Sequence, residues 1–209
     1  MTRPQCLIVV AGTGTEVGKT WVSCRVLEIA RQRGLRVAAR KPAQSFEPGQ
    51  LTDAESLASA TGETPHTVCP AHRWLEVPMA PPMAADVLGR GRVLLDELVV
   101  EIRWPDAVDL AFVETAGGLR SPIAHDADNV ELIHRLAPDA VVLVADAGLG
   151  TINSVRLSLD AVPNERVHVY LNRFDAANEL HRRNRAWLHD AYGIATAVSG
   201  EELWTLLAP

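Results

Sequence analysis

Lys19 and Thr20 close the stretch "GTGTEVGKT", a glycine-rich segment that ends in an ammonium and a hydroxyl. Those groups make an anion cradle: backbone N–H groups surround a phosphate, the lysine reaches its charge, and the hydroxyl faces a divalent cation. The usual spacing, G-x-x-x-x-G-K-[ST], is missed by one place, because Thr13 stands five residues before Gly18 and is flanked by Gly12 and Gly14. The context supplies what the spacing lacks. "CLIVVA" before the glycines is a strand-type run, and "KTWVSCRVLEIARQRG" after them has apolar residues at Val22, Val26, Ile29 and Ala30, the repeat of a helix face. A helix starting there aims free N–H groups and the positive end of its dipole at whatever lies over Gly18, Lys19 and Thr20. The alternative is a tight βα turn with a solvated lysine. The complete strand, loop and helix favour a nucleotide, with Lys19 on the β- and γ-phosphates and Thr20 on magnesium.

Other polar groups stand where apolar runs stop. "LRVAAR" is followed by "KPAQS", "VDLAFV" by "ETAGGLRSP", and "AVVLVA" by "DAGLGTIN". In an open parallel sheet, ligands bind at the carboxyl ends of the strands, so these segments share an edge with the glycine loop. Lys41 is then held at a strand tip near the phosphates, or is an ordinary surface lysine. Ser45 binds a ligand or starts a turn. Glu114 has the placement of a carboxylate that partners magnesium in phosphoryl-transfer proteins. Asp53, opening the helical pattern "DAESLASATG", is either a metal ligand or a cap and first-turn residue. One hydroxyl and two carboxylates, with phosphate oxygens and water, complete an octahedral shell. "GLGTIN" opens another helix, whose free N–H groups cap it or take an anion.

The elements that position these groups follow from the pattern. Apolar runs at 35–39, 108–113, 140–145, 167–171 and 194–198 alternate with "LLDELVVEIRW", "NVELIHRLA", "TINSVRLSLDAV" and "ELHRRNRAWLHDAY", each about one helix long. Strands without a polar face, separated by helices, predict an α/β fold: a mostly parallel, doubly wound sheet with helices on both faces. At 209 residues the chain holds one sizeable core, so a single domain over 1–209 is expected. The proline-rich segment 76–87 reads as a rigid loop leading into a helix.

With a net charge of −6, the chain lacks the clustered cations of a general nucleic-acid binder. The basic stretch "HRRNRAWLH" reads as a solvated helix face. Cys6, Cys24 and Cys69 are odd in number and share no metal-like spacing, which suits reduced thiols in the cytoplasm. No run approaches the ~18 apolar residues of a membrane span, so no membrane partner is expected.

Taken together, "GTGTEVGKT", "KPAQS", the "DAESLA" helix, "PMAPPMAA", "VETAGGLRSP", "GLGTIN" and "LNR" occur in the order found in dethiobiotin synthases, and the chain resembles that family over nearly its whole length. The shifted glycine loop is itself a trait of the family. The resemblance implies a P-loop NTPase-like fold and an ATP- and magnesium-dependent ring closure in biotin biosynthesis. In that reaction 7,8-diaminononanoate takes up CO2 as a carbamate. ATP then activates the carbamate as a mixed anhydride, and the second amine displaces phosphate to give the cyclic urea of dethiobiotin.

By matching position, the resemblance makes Lys41, Lys19 and Thr15 the catalytic set. It gives the nucleotide to Glu16, Val17, Gly18, Lys19, Thr20 and Trp21, to Thr115, Ala116 and Gly117, and to Asn172 and Arg173, with Asn172 recognising the adenine. Thr20, Asp53 and Glu114 hold magnesium. Thr13, Lys41 and Ser45 contact the diamine. The family works as a homodimer, and the far carboxylate of the substrate falls to the helix start of the partner chain, here Leu149, Gly150, Thr151, Ile152 and Asn153. The chain departs from the family pattern at Thr115, where relatives often have glycine, at Gly14, and in a C-terminus without the proline–leucine–glycine segment. A β-branched residue is poorly suited to positive φ, so a displaced loop is expected after Glu114. The rival reading is a regulatory P-loop ATPase of the partitioning type that binds protein partners. Such proteins carry an extra lysine early in the loop, where this chain has Gly14, and the chain has no basic amphipathic tail. An amidotransferase-linked ATPase would need a glutaminase half, for which the chain has no room.

Overall fold

The computed structural model describes residues 3–207, so the first two and last two residues of the expected 1–209 unit lie outside it. In chain order the elements are β1 (Cys6–Gly12), α1 (Lys19–Gln32), β2 (Val37–Arg40), β3 (Gln44–Ser45), α2 (Asp53–Thr61), α3 (Pro65–Val68) and β4 (Trp74–Leu75). There follow α4 (Pro81–Val87), α5 (Leu95–Glu101), β5 (Leu110–Gly118), β6 (Pro122–Ala124), β7 (Ala127–Asp128) and α6 (Asn129–Leu136). The chain then runs through β8 (Ala140–Asp146), α7 (Thr151–Ala161), β9 (Val167–Asn172), α8 (Glu179–Tyr192), β10 (Thr196–Ala197) and α9 (Gly200–Leu207).

Six strands form one sheet in the order β10-β9-β8-β1-β5-β2, and every pairing in it is parallel. β1 is central because its residues are apolar on both sides. Ile8 and Val10 pack with Val22, Val26, Leu57 and Leu203 from α1, α2 and α9, while Leu7, Val9 and Ala11 pack with Val130, Val155 and Leu188 from α6, α7 and α8. Helices therefore cover both faces, as two-sided hydrophobic strands require. A third cluster, including Leu75, Ala84, Leu98 and Ile123, lies under α4 and α5. After β1 the chain builds the β2 and β5 flank and then crosses to β8, β9 and β10 on the other side, so the crevice at the carboxyl end of β1 lies at the topological switch point.

The strand on the β2 flank is sealed. The Ala39 N–H donates to Glu63 Oε2 at 2.9 Å, the Lys41 N–H donates to the Val68 carbonyl at 2.8 Å, and the Arg40 guanidinium donates to the Ala39 carbonyl. Arg40 also pairs with Glu63 at 2.7 Å and lies over the Trp104 ring.

Candidate functional site

The loop between β1 and α1 is shaped by contacts that exclude side chains. A Cβ on Gly12 would lie 2.9 Å from both the Gly14 carbonyl oxygen and Val17 Cγ2. The residue that must be small at the loop entrance is therefore one place earlier than the usual spacing demands. Gly18 caps α1 at φ 92°, a left-handed conformation that favours glycine, and a Cβ there would meet Asn172 Nδ2 at 2.0 Å. Glu16 also takes a left-handed conformation, at φ 59°. The Lys19 side chain folds back over this loop, donating to the Gly14 carbonyl at 3.1 Å. Burial, and next the neighbouring Lys41 ammonium, lower its pKa to about 8, against the opposing pull of Glu114 and Asp53.

Below the loop, α1, α2, β5 and the end of β2 bring five polar side chains together. Glu114 of β5 is buried, and its Oε1 accepts from Lys41 Nζ at 2.7 Å. Lys41 Nζ also lies 2.7 Å from Asp53 Oδ2 and donates to the Thr115 carbonyl at 3.1 Å. Thr20 Oγ1 stands 2.7 Å from Asp53 Oδ1 and 2.8 Å from Glu114 Oε1, and Ser23 Oγ donates to Glu114 Oε2 at 3.1 Å. Burial pushes the Lys41 pKa down, but the Asp53 and Glu114 charges outweigh it and hold the ammonium above its ordinary range. The same Lys41 charge is the main reason that Asp53 falls to about 2.

Asp53 is free to do this because it does not cap its own helix. Thr52 caps α2 in a reciprocal box with Glu55, leaving the Asp53 carboxylate in the first turn to face the site. A hydroxyl has one proton, so Thr20 satisfies one of its two carboxylate neighbours, and the second oxygen–oxygen approach is one that a cation relieves. One hydroxyl and two carboxylates are hard oxygen donors of the kind magnesium takes. Among the described residues there is no cluster of three or more His, Cys, Asp or Glu that could hold a metal, so phosphate oxygens and water have to fill much of the shell.

These groups open into a cleft of about 780 Å³ lined by Thr15, Glu16, Gly18, Lys19, Thr20, Lys41, Ser45, Asp53, Ala116, Gly117 and Arg173, with Met79 and Pro81 from the proline-rich segment. Glu114 lies beneath it, in contact with Lys41 and Thr20. The Thr13 N–H is spent on the Val144 carbonyl. Val17 packs against the core, and its carbonyl accepts from Asn172 Nδ2 at 2.9 Å. The Trp21 side chain is largely exposed. Arg173, at φ 56°, bridges Asp146 Oδ2 and the Glu16 carbonyl, at 2.8 Å each. Leu149, Gly150, Thr151, Ile152 and Asn153 form the start of α7 beside the end of β8 and do not line this cleft. Leu149 is 92 % exposed.

The expectation of a displaced loop at Thr115 is corrected. Thr115 continues β5 with strand geometry and is fully buried; the left-handed turn comes at Gly117, φ 74°. That turn is held by a residue that the sequence pattern does not single out. Asn129 Nδ2 donates to the carbonyls of Ala116 and Gly118 at 2.7 Å each, with the Ser121 carbonyl at 3.3 Å. Ser23 and Gln44 are two further omissions. Ser23 lies one helical turn after Lys19 on the inward face of α1, a spacing that marks it in retrospect. Gln44 Oε1 accepts from the Ala54 N–H at 3.0 Å and so ties β3 to the start of α2.

The family model described as AAA domain matches residues 7–178. ATP-dependent dethiobiotin synthetase BioD of Caulobacter vibrioides is 38 % identical over 159 residues, covering 73 % of this chain and 72 % of that protein. Its counterpart from Anaeromyxobacter sp. (strain K) is 41 % identical over 157 residues, covering 73 % and 69 %. Among solved structures, chloroplast FtsY from Physcomitrella patens aligns with a TM-score of 0.56 at 16 % identity, over 100 % of this chain and 67 % of that one. The signal recognition particle receptor FtsY from Elizabethkingia anophelis gives 0.55 at 15 %, over 98 % of this chain and 65 % of the receptor. At such identity these two share the fold and nothing more. The sequence relatives and the site residues in their expected order agree: the chain belongs to the ATP-dependent dethiobiotin synthetase family.

Proposed function

We infer that this chain is a ligase of biotin biosynthesis that spends ATP to close the cyclic urea of dethiobiotin. Its further substrates are 7,8-diaminononanoate and CO2. The observation that carries the reading is Lys41, whose buried ammonium lies 2.7 Å from both Asp53 and Glu114 in the cleft that Lys19 and the glycine loop also line. A cleft of about 780 Å³ is of the size that holds a small-molecule ligand.

The roles follow from charge. The amides at the start of α1 and Lys19 bind the triphosphate. Lys41, kept protonated by two carboxylates, is not a base. It offsets the negative charge of a carbamate and of the phosphoryl group in transfer. A free alkylamine, with a pKa of about 10.4, is mostly protonated near neutral pH, and a cation brought beside it favours the neutral amine and its carbamate. Thr20, Asp53 and Glu114 would hold magnesium, which neutralises phosphate charge when bound. Ser45 contacts the diamine, and Asn172 and Arg173 stand on the side of the base. In a homodimer, the exposed start of α7 from one copy meets the substrate of the other. ATP use and three unpaired cysteines suit the cytoplasm. No helix among the described residues is long and apolar enough to cross a membrane.

The test is phosphate release measured with diaminononanoate, bicarbonate and magnesium omitted in turn. Loss of turnover on each omission is expected. Turnover indifferent to the diamine would defeat this reading in favour of a regulatory ATPase.

A further inference from the structure

We propose that Lys41 and the divalent cation take turns at Glu114 Oε1: the ammonium holds that oxygen until a metal-bound nucleotide arrives, and its release then hands a Lys41 donor to the second substrate. This inference rests on the magnesium assignment made above.

An ammonium has three hydrogens to donate. All three of Lys41 have acceptors within the chain: Asp53 Oδ2 at 2.7 Å, Glu114 Oε1 at 2.7 Å and the Thr115 carbonyl at 3.1 Å. With its side chain only 3 % exposed, Lys41 has no donor left for a carbamate. To touch substrate it must give up a partner.

The contested atom is Glu114 Oε1. It faces Lys41 Nζ on one side and Thr20 Oγ1, at 2.8 Å, on the other. Its other oxygen, Oε2, is engaged by Ser23 at 3.1 Å, so Oε1 is the oxygen that faces both cations. A dication on the Thr20 side of Oε1 sits on the same oxygen as the ammonium and repels it, which loosens the Lys41–Glu114 contact. Ser45 and Lys41 both line the cleft. Two consequences follow. Metal alone binds weakly, since it must displace a buried ion pair, and Lys41 becomes available only once metal and nucleotide are both in place.

The test is Mn²⁺ binding to the nucleotide-free protein, read by electron paramagnetic resonance. Lys41→Met is expected to bind Mn²⁺ about tenfold more tightly than wild type, or more. Unchanged affinity overturns the exchange. Removing the cation leaves two carboxylates facing each other and endangers folding, so a second measurement uses the wild-type chain. The side-chain ¹⁵N resonance of Lys41 is expected to shift when Mg²⁺ and a non-hydrolysable ATP analogue are added together. With the analogue and a chelator it is expected to stay where it was. A resonance that is indifferent to the metal overturns the proposal. Failure of wild type to bind Mn²⁺ even with the analogue would instead defeat the magnesium assignment, and the exchange would fall with it.

Discussion

The side-chain amide of Asn172 donates to the backbone carbonyl of Val17 at 2.9 Å, fastening the end of β9 to the phosphate loop. The same amide fills the space where a Cβ on Gly18 would project. Gly18→Ala is expected to destabilise the fold by about 1–2 kcal/mol from the left-handed backbone alone, with a further cost from the clash. Nucleotide affinity should fall with it. Adding Asn172→Ala removes the clash but not the strain, so the double variant should be less impaired than the sum of the two single changes. Thermal denaturation and titration with an ATP analogue, carried through the double-mutant cycle, measure both effects.

Lys19 gives the site a pH signature. Its pKa of about 8 in the folded chain lies below the ordinary 10.5, so burial of its charge opposes folding below pH 8, and that penalty fades as pH rises from 8 towards 10.5. A bound phosphate favours the ammonium and raises the pKa again. Metal-free nucleotide binding at pH 8.5 is therefore expected to take up protons, and affinity should weaken as pH rises above 8. Calorimetry in two buffers of different ionisation enthalpy reads the uptake. Lys19→Met should abolish it.

Asn129 ties three carbonyls of the turn that carries Ala116 and Gly117 to the cleft. Asn129→Ala leaves those carbonyls short of donors and is expected to cost about 2–3 kcal/mol, seen as a lower urea midpoint with an unchanged slope. Asn129→Asp keeps the shape but brings acceptor against acceptor, so it should not restore the loss.

The buried Thr115 hydroxyl has no hydrogen-bond partner among the described residues. Thr115→Val has nearly the same shape and removes that unpaired group, so it should be neutral or stabilising by up to about 1 kcal/mol. Thr115→Gly loosens a strand interior and should cost about 1 kcal/mol. A clear loss of stability in the valine variant, measured by denaturation, would show that the hydroxyl has a partner after all.

Much of this architecture is legible in the sequence where burial is one-sided in its demands. β1, β5 and β8 are apolar on both faces, and such runs announce themselves; β5 nevertheless extends through the "ETAGG" segment, because backbone pairing continues after the apolar pattern stops. β3 and β4 pair over two residues each, too short for any periodicity to register. α9 carries Glu201 and Glu202 in its first turn and buries Leu203, Trp204 and Leu207, signals that are present but easily read as a tail. In the site, Lys41 and the glycine loop stand at strand ends and Glu114 stands where an apolar run stops, places to which the pattern directs attention. Ser23, Gln44 and Asn129 do not, since a polar residue inside a helix or a short loop looks like surface until its partner is known. At Asp53 the sequence leaves capping and the site as alternatives, and the structure gives the cap to Thr52.

The acceptance of the Ala39 N–H by Glu63 has a consequence beyond local geometry. Together with Arg40 and Val68 it occupies the outward N–H and carbonyl of Ala39 and the N–H of Lys41 on that border of the sheet. A foreign strand finds a broken template there, so edge-to-edge pairing through β2 is disfavoured.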